Sequence, residues 1–258
     1  MTTTSITIAD DSLLAAILAR ADDALILGHR LSEWCGFAPM LEEDLALANI
    51  ALDLIGQARS LYAHAATVEN AGRTEDDYAY RRDPHQFRNL LLVEQPNGDF
   101  AHTIIRQYLY SAFAHPFWQA MTRSTDATLA AIAAKSVPEA AYHLRHAAEW
   151  TIRLGDGTDE SHRRAQDALD ALFPYTGEIF APSAFETDLI GKGILIDPAT
   201  LRPAWTNAVD QILAEAGLAK PQSAWMQSGG RRGRHSEHLG HLLAEMQILP
   251  RSYPGAIW

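Results

Sequence analysis

Apolar residues recur along this chain at intervals of three and four, the repeat of one helical face, and no strand-like alternation persists. Leu13, Leu14, Ile17, Leu18, Ala21, Leu25 and Ile26 draw one stripe, a first helix that Ser12 is placed to cap and that Gly36 and Pro39 end. A second helix of about 28 residues starts near Leu41, with Glu42, Glu43 and Asp44 in its first turn, where the helix dipole favours anions. Its inward positions read as Leu45, Ala48, Leu52, Ile55, Leu61 and Tyr62, and the polar stretch 71–77 closes it as a loop. A third helix is expected from Pro84 to Glu94.

Pro96-Asn97-Gly98 is sharp punctuation, because proline denies a backbone donor and Asn-Gly tolerates left-handed backbone. The helix must break there and restart, with Asp99 as cap and Phe100, Ile104, Ile105, Tyr108, Leu109, Ala112 and Phe113 as a wide apolar face. The segment from Asp126 to Leu154 is Ala-rich and stops at Gly155-Asp156-Gly157, with Pro138 predicting a kink inside it. The pattern predicts four long helices of about 25 to 35 residues over 1–157, then shorter ones near 159–180, 183–192, 200–217 and 235–249. That is an all-α chain of one domain, 1–258. It is a four-helix bundle with additional short C-terminal helices as a decoration, and a long crossover joins its second and third helices.

Composition narrows the functional classes. The 258 residues carry 21 Lys plus Arg against 32 Asp plus Glu, a net charge of −11, which repels phosphate backbones, so no nucleic-acid partner is expected. No apolar run approaches the roughly 18 residues a membrane span needs, and no membrane association is expected. The start, Met1-Thr2-Thr3-Thr4-Ser5, lacks the basic-then-apolar order of a secretory signal; with the lone Cys35 this leads to the expectation of a cytoplasmic protein.

Eleven histidines and many acids invite a metal reading, and bundles build such sites from inward Glu plus Glu-x-x-His pairs. The long helices carry no Glu-x-x-His; the nearest spacings are Glu139 with His143, Glu237 with His241, and His143 with His146. Glu139 and His143 read as two ligands of a site, as a helix-surface pair, or as a satisfied buried histidine. His235, Glu237, His238 and His241 read as a ligand cluster or as a capped terminal helix beside a basic loop. Cys35 is expected to be a buried, inert thiol rather than a reactive one. Arg231-Arg232-Gly233-Arg234 reads as a solvated loop, with an acidic partner or a phosphorylated coenzyme as its functional alternative. Trp34, Trp118, Trp150, Trp205, Trp225 and Trp258 are expected as core or interface anchors.

Leu31-Ser32-Glu33-Trp34-Cys35-Gly36 and the run from Glu42 to Arg59 resemble the structural subunits of bacterial phenylacetyl-CoA epoxidases. The similarity continues through Asn89 to Gly98, Tyr142-His143-Leu144-Arg145-His146, Leu154 to Thr158, Gly229-Gly230 and His235 to Gly240, across essentially the whole chain. It implies a ferritin-like fold and a place in a multicomponent monooxygenase that epoxidises the ring of phenylacetyl-CoA in phenylacetate breakdown. In that family the di-iron centre lies in a related catalytic subunit, and a reductase with FAD and an iron–sulfur cluster brings electrons from NADPH. The resemblance further implies that Leu54 and Gln57 occupy the carboxylate and histidine positions of the catalytic relative's second helix, and that Ala140 replaces the acid three residues before His143.

Leucine and alanine offer no ligand atom, and an amide oxygen is a poor substitute for imidazole at iron. No catalytic, cofactor-binding or metal-ligating residue is therefore assigned, and no cofactor is expected in this chain. Gln57, His143 and Arg106, Asp22 or Asp23 are expected to persist as a hydrogen-bonded polar remnant. The expected partners are the catalytic di-iron subunit and other subunits of the complex, with self-association when the chain is isolated. Two other classes stay open: an autonomous di-iron or di-manganese enzyme using Glu33, Glu139, His143 or Glu237, and a helical adaptor for an unrelated acyl-CoA system.

Overall fold

A computed structural model of the chain describes residues 5–222, 225–254 and 256; Trp258 and residues 1–4 of the start lie outside them. Among the described residues there is no strand, and the fold is a ferritin-like helical bundle. Its long helices are α1 (Ser12–Ser32), α2 (Leu41–Glu69), α5 (Phe100–Met121) and α6 (Ala127–Gly155). Between and after them lie α3 (Glu75–Tyr80), α4 (Leu91–Glu94), α7 (Asp159–Leu172), α8 (Thr187–Gly191), α9 (Arg202–Glu215) and α10 (Glu237–Ser252).

The helix starts follow their caps. Asp11, not Ser12, caps α1 by accepting from Leu14 N, while Asp99 and Asp126 cap α5 and α6. Asn70 ends α2 in the left-handed region, and the 71–77 stretch turns helical from Glu75 because Thr74 and Asp77 form a capping box. α1 packs along α2 as one antiparallel hairpin and α5 along α6 as another. At Gly28 a side chain would meet Ile55 Cγ1 at 3.1 Å and Ala51 O at 3.2 Å, so glycine is what lets these two helices approach.

α2 corrects the inward phase expected for it. Leu45 and Leu52 are exposed and Ala48 and Ile55 half-buried; the helix turns Leu47, Ile50, Ala51, Leu54, Ala58 and Ala65 inward, with Leu61 and Tyr62 buried as expected. The reason is that α2 is apolar on two opposite faces, so the three-and-four repeat fits either phase equally well.

The third helix expected from Pro84 to Glu94 is also absent. Pro84–Gln86 forms one 3-10 turn, Phe87 and Leu90 are extended, and only Leu91–Glu94 is helical. Backbone donors that a helix would send to its own carbonyls go to carboxylates on α1: Arg88 N donates to Asp22 Oδ2 and Leu90 N to Asp23 Oδ1, each at 2.7 Å. The crossover is thus pinned to the most buried helix of the bundle.

The C-terminal segments are more than a decoration. α7 and α9 cover α5 and α6, and α10 lies against α3. Side chains from the tail penetrate further: Trp205 Nε1 donates to Leu109 O, Glu186 pairs with Arg20, and Arg231 grips Asp23 with contacts of 2.9 and 2.6 Å. Burial alone would lower the Arg231 guanidinium, but the Asp23 carboxylate outweighs it and holds Arg231 above its usual value. Removing one partner of such a pair strands a charge. Arg231→Met is expected to cost about 3–5 kcal/mol in urea unfolding, with most of the loss recovered in the Asp23→Asn, Arg231→Met double variant.

Candidate functional site

One row of polar groups runs along the seam between α2 and α6, where the two hairpins meet. Going up α2 and down α6, Glu43 Oε2 lies 2.8 Å from His146 Nε2, and Asp53 Oδ2 lies 3.0 Å from His143 Nε2. Gln57 Nε2 then donates to Glu139 Oε2 at 2.9 Å, and His64 Nε2 lies 3.1 Å from Asp126 Oδ2. Long side chains span the gap because α2 and α6 approach far less than the helices within each hairpin do. Tyr142 sits beside both histidines, with ring centroids 6.2 and 6.0 Å away.

This ladder uses up the donors that the sequence offered. Glu139 is taken by Gln57, His143 by Asp53 and His146 by Glu43, so neither Glu139 with His143 nor His143 with His146 converges on a shared point. Leu54 and Ala140 are buried and apolar between them. Among the described residues no group of three or more His, Cys, Asp or Glu could hold a metal ion. The donor set does not fit a di-iron centre, which needs carboxylates placed between two cations.

The expected single remnant is divided among separate sets of partners. Gln57 and His143 stay in the seam, while Asp22, Asp23 and Arg106 all serve the crossover. Asp22 accepts from Tyr62 Oη at 2.6 Å and pairs with Arg82, a fully buried guanidinium lying 4.1 Å from the Phe87 ring centroid. Arg106 donates to Gln95 O and to Asn97 Oδ1, bracing the break at Pro96. Burial and the neighbouring Arg30 push its pKa down to about 9.

The terminal histidines scatter likewise. His235 Nδ1 lies 2.7 Å from Glu94 Oε2 and its Nε2 lies 3.0 Å from Phe87 O, while Glu237 and His241 are exposed. Both ring nitrogens of His235 face acceptors, an arrangement that suits the imidazolium. The basic loop is not solvated throughout: Arg231 is buried, and only Arg232 and Arg234 are exposed. Its path depends on Gly233, where φ is +73° and a side chain would sit 2.1 Å from His85 O. Cys35 is exposed, contrary to the burial expected of a lone thiol, because it follows the last turn of α1. Trp34, Trp118, Trp150 and Trp205 are engaged in the packed interior or its margin, whereas Trp225 is 61% exposed.

The sequence does not single out Glu43, Asp53, Glu94, Arg82, Glu186 or Glu178, the last accepting from Gly229 N at 2.8 Å and Leu91 N at 3.3 Å, as structural partners. Glu94 carried a signal, since an acid directly following Leu90-Leu91-Leu92-Val93 can be buried only with donors supplied: here Asn89, His235 and Ser236 N.

Residues 1–258 match the family described as phenylacetic acid catabolic protein. The chain belongs to that family. It is 48% identical over 248 residues to the protein of Escherichia coli (strain K12) named as the C subunit of 1,2-phenylacetyl-CoA epoxidase, covering 96% of this chain and 100% of that relative. Among the described residues no helix is long and apolar enough to cross a membrane.

His235 and His143 give the fold opposite pH dependences. Burial lowers the His235 pKa, but Glu94 outweighs it and raises the value above 6.5, so its stabilisation is complete below 6.5 and fades as pH rises through the raised value. Burial lowers the His143 pKa more than Asp53 raises it, so its contribution is complete above 6.5 and fades as pH falls toward the lowered value. Urea unfolding between about pH 5 and 8.5 should therefore show the alkaline fall flattened in His235→Gln and the acid fall flattened in His143→Gln.

Proposed function

We propose that this chain is the noncatalytic structural subunit of a bacterial multicomponent di-iron monooxygenase that epoxidises the aromatic ring of phenylacetyl-CoA during phenylacetate catabolism. It binds the catalytic subunit and holds that bundle rigid. The family match and the 48% identity to a protein named as an epoxidase subunit support the pathway and the membership of a complex. The observation that carries the noncatalytic role is the α2–α6 seam, in which Leu54 and Ala140 supply no donor and every histidine is already held by a carboxylate.

In this reading the di-iron centre belongs to the catalytic subunit, and FAD, the iron–sulfur cluster and NADPH belong to the reductase. The complex works in the cytoplasm, without nucleic acid or membrane as partner. The donors that an autonomous metal enzyme would have to use are engaged or outward: Glu33 with Arg30 and Asn97, Glu139 with Gln57, His143 with Asp53, and Glu237 at the surface.

Two measurements test the proposal. Metal analysis of the chain produced in iron-rich medium is expected to find no stoichiometric iron, and two irons per chain would overturn the noncatalytic role. Reconstituting the oxygenase from catalytic subunit and reductase is expected to give epoxidation of phenylacetyl-CoA only when this chain is added; equal activity without it would remove the scaffolding role.

A further inference from the structure

The outer face of α2 is apolar, long and unpartnered among the described residues. Leu41 is 70% exposed, Leu45 56% and Leu52 66%, and the turn leading into the helix adds Phe37 at 79% and Met40 at 46%. At 100° per residue Leu41, Leu45, Ala48, Leu52 and Gly56 fall on one side of the helix, opposite Leu47, Leu54 and Leu61. Arg59, its side chain 76% exposed, falls on the same side, so the apolar run is the part from Leu41 to Gly56, about 22 Å at 1.5 Å per residue, four turns along which another helix can lie. A side chain built at Gly56 meets nothing within 4 Å, so a partner backbone can come close there. A helix apolar on two opposite faces is a helix buried on both in its working state.

The charges beside the stripe select the occupant. Glu42 is exposed and Asp44 and Asp53 are half-buried along its margins, and between Leu41 and Ala58 there is no Lys or Arg. Arg59, which ends the apolar run on this face, is paired with Glu75 at 3.0 Å. Two copies of this face packed antiparallel about a two-fold axis near Ala48 would bring Glu42 of one against Asp53 of the other, which like charges disfavour. A different chain with basic residues flanking its own apolar stripe meets no such repulsion.

We propose that the outer face of α2, with the turn at Phe37 and Met40, is the surface on which a helical subunit of the oxygenase docks, through an apolar stripe flanked by Lys and Arg. This rests on the scaffolding role proposed for the chain. The occupant is the catalytic subunit, a second helical chain whose long helices can lie along α2.

Sedimentation of the full chain with the recombinant catalytic subunit tests it, comparing wild type with Leu45→Glu, Leu52→Glu. Both positions are exposed, so circular dichroism and Tm are expected to match wild type; if they do not, Leu45→Ala, Leu52→Ala replaces the charged pair. The expected result is a wild-type heterocomplex that weakens as salt rises and a variant whose affinity falls at least about 30-fold. A variant that binds within a few-fold of wild type overturns this face while leaving the scaffolding role standing. No heterocomplex with wild type overturns the scaffolding role itself. A wild-type homodimer abolished in the variant, with no heterocomplex competing for it, makes a second copy the occupant and overturns the charge argument.

Discussion

Two adjacent carboxylates in the buried middle of α1 have to be neutralised, and the way Asp22 and Asp23 are neutralised organises most of this molecule. Asp22 takes Arg82, Tyr62 and the Arg88 amide; Asp23 takes Arg231 and the Leu90 amide. Each carboxylate therefore binds the crossover between the hairpins, and Asp23 also binds a residue more than two hundred positions away. Left without these donors, either anion would cost several kcal/mol in such surroundings. The arrangement ties α1, the 82–90 segment and the tail into one interdependent unit, which explains why the crossover is extended where its sequence spacing suggests a helix.

The α2–α6 seam follows a different rule. Bundles of this class that bind two metal ions can keep several inward carboxylates because the cations neutralise them. Here each seam carboxylate is matched singly, to a histidine or an amide, and the positions between are Leu54 and Ala140. Buried like charges with no cation would be costly, so an apolar interior with paired margins is the stable alternative. In the role proposed above, what such a chain offers a complex is shape, and its shape includes a helix that is apolar toward the core and, from Leu41 to Gly56, apolar toward the outside.

Much of this was legible in the sequence, for reasons that differ by element. α6 and α5 were readable because Asp126, Asp99 and the Gly155-Asp156-Gly157 stop are local signals, and local signals survive tertiary context. The phase of α2 was not, because Leu45 and Leu52 are as apolar as Leu47 and Leu54, and periodicity alone does not say which face meets the core. The segment Pro84–Glu94 misled because its backbone partners, Asp22 and Asp23, lie more than sixty residues away. Leu54 and Ala140 were recognised as empty donor positions through the family resemblance, whereas the pairs that fill the seam, Asp53 with His143 and Glu43 with His146, join residues some ninety to a hundred positions apart, beyond any motif.

In the proposed role this bundle supports metal chemistry carried out elsewhere in a complex. Anomalous diffraction at the iron absorption edge, recorded from crystals of the assembled oxygenase, tests it most directly. Iron peaks are expected within the catalytic subunit and none between α2 and α6 of this chain. Two adjacent peaks beside His143 would contradict it.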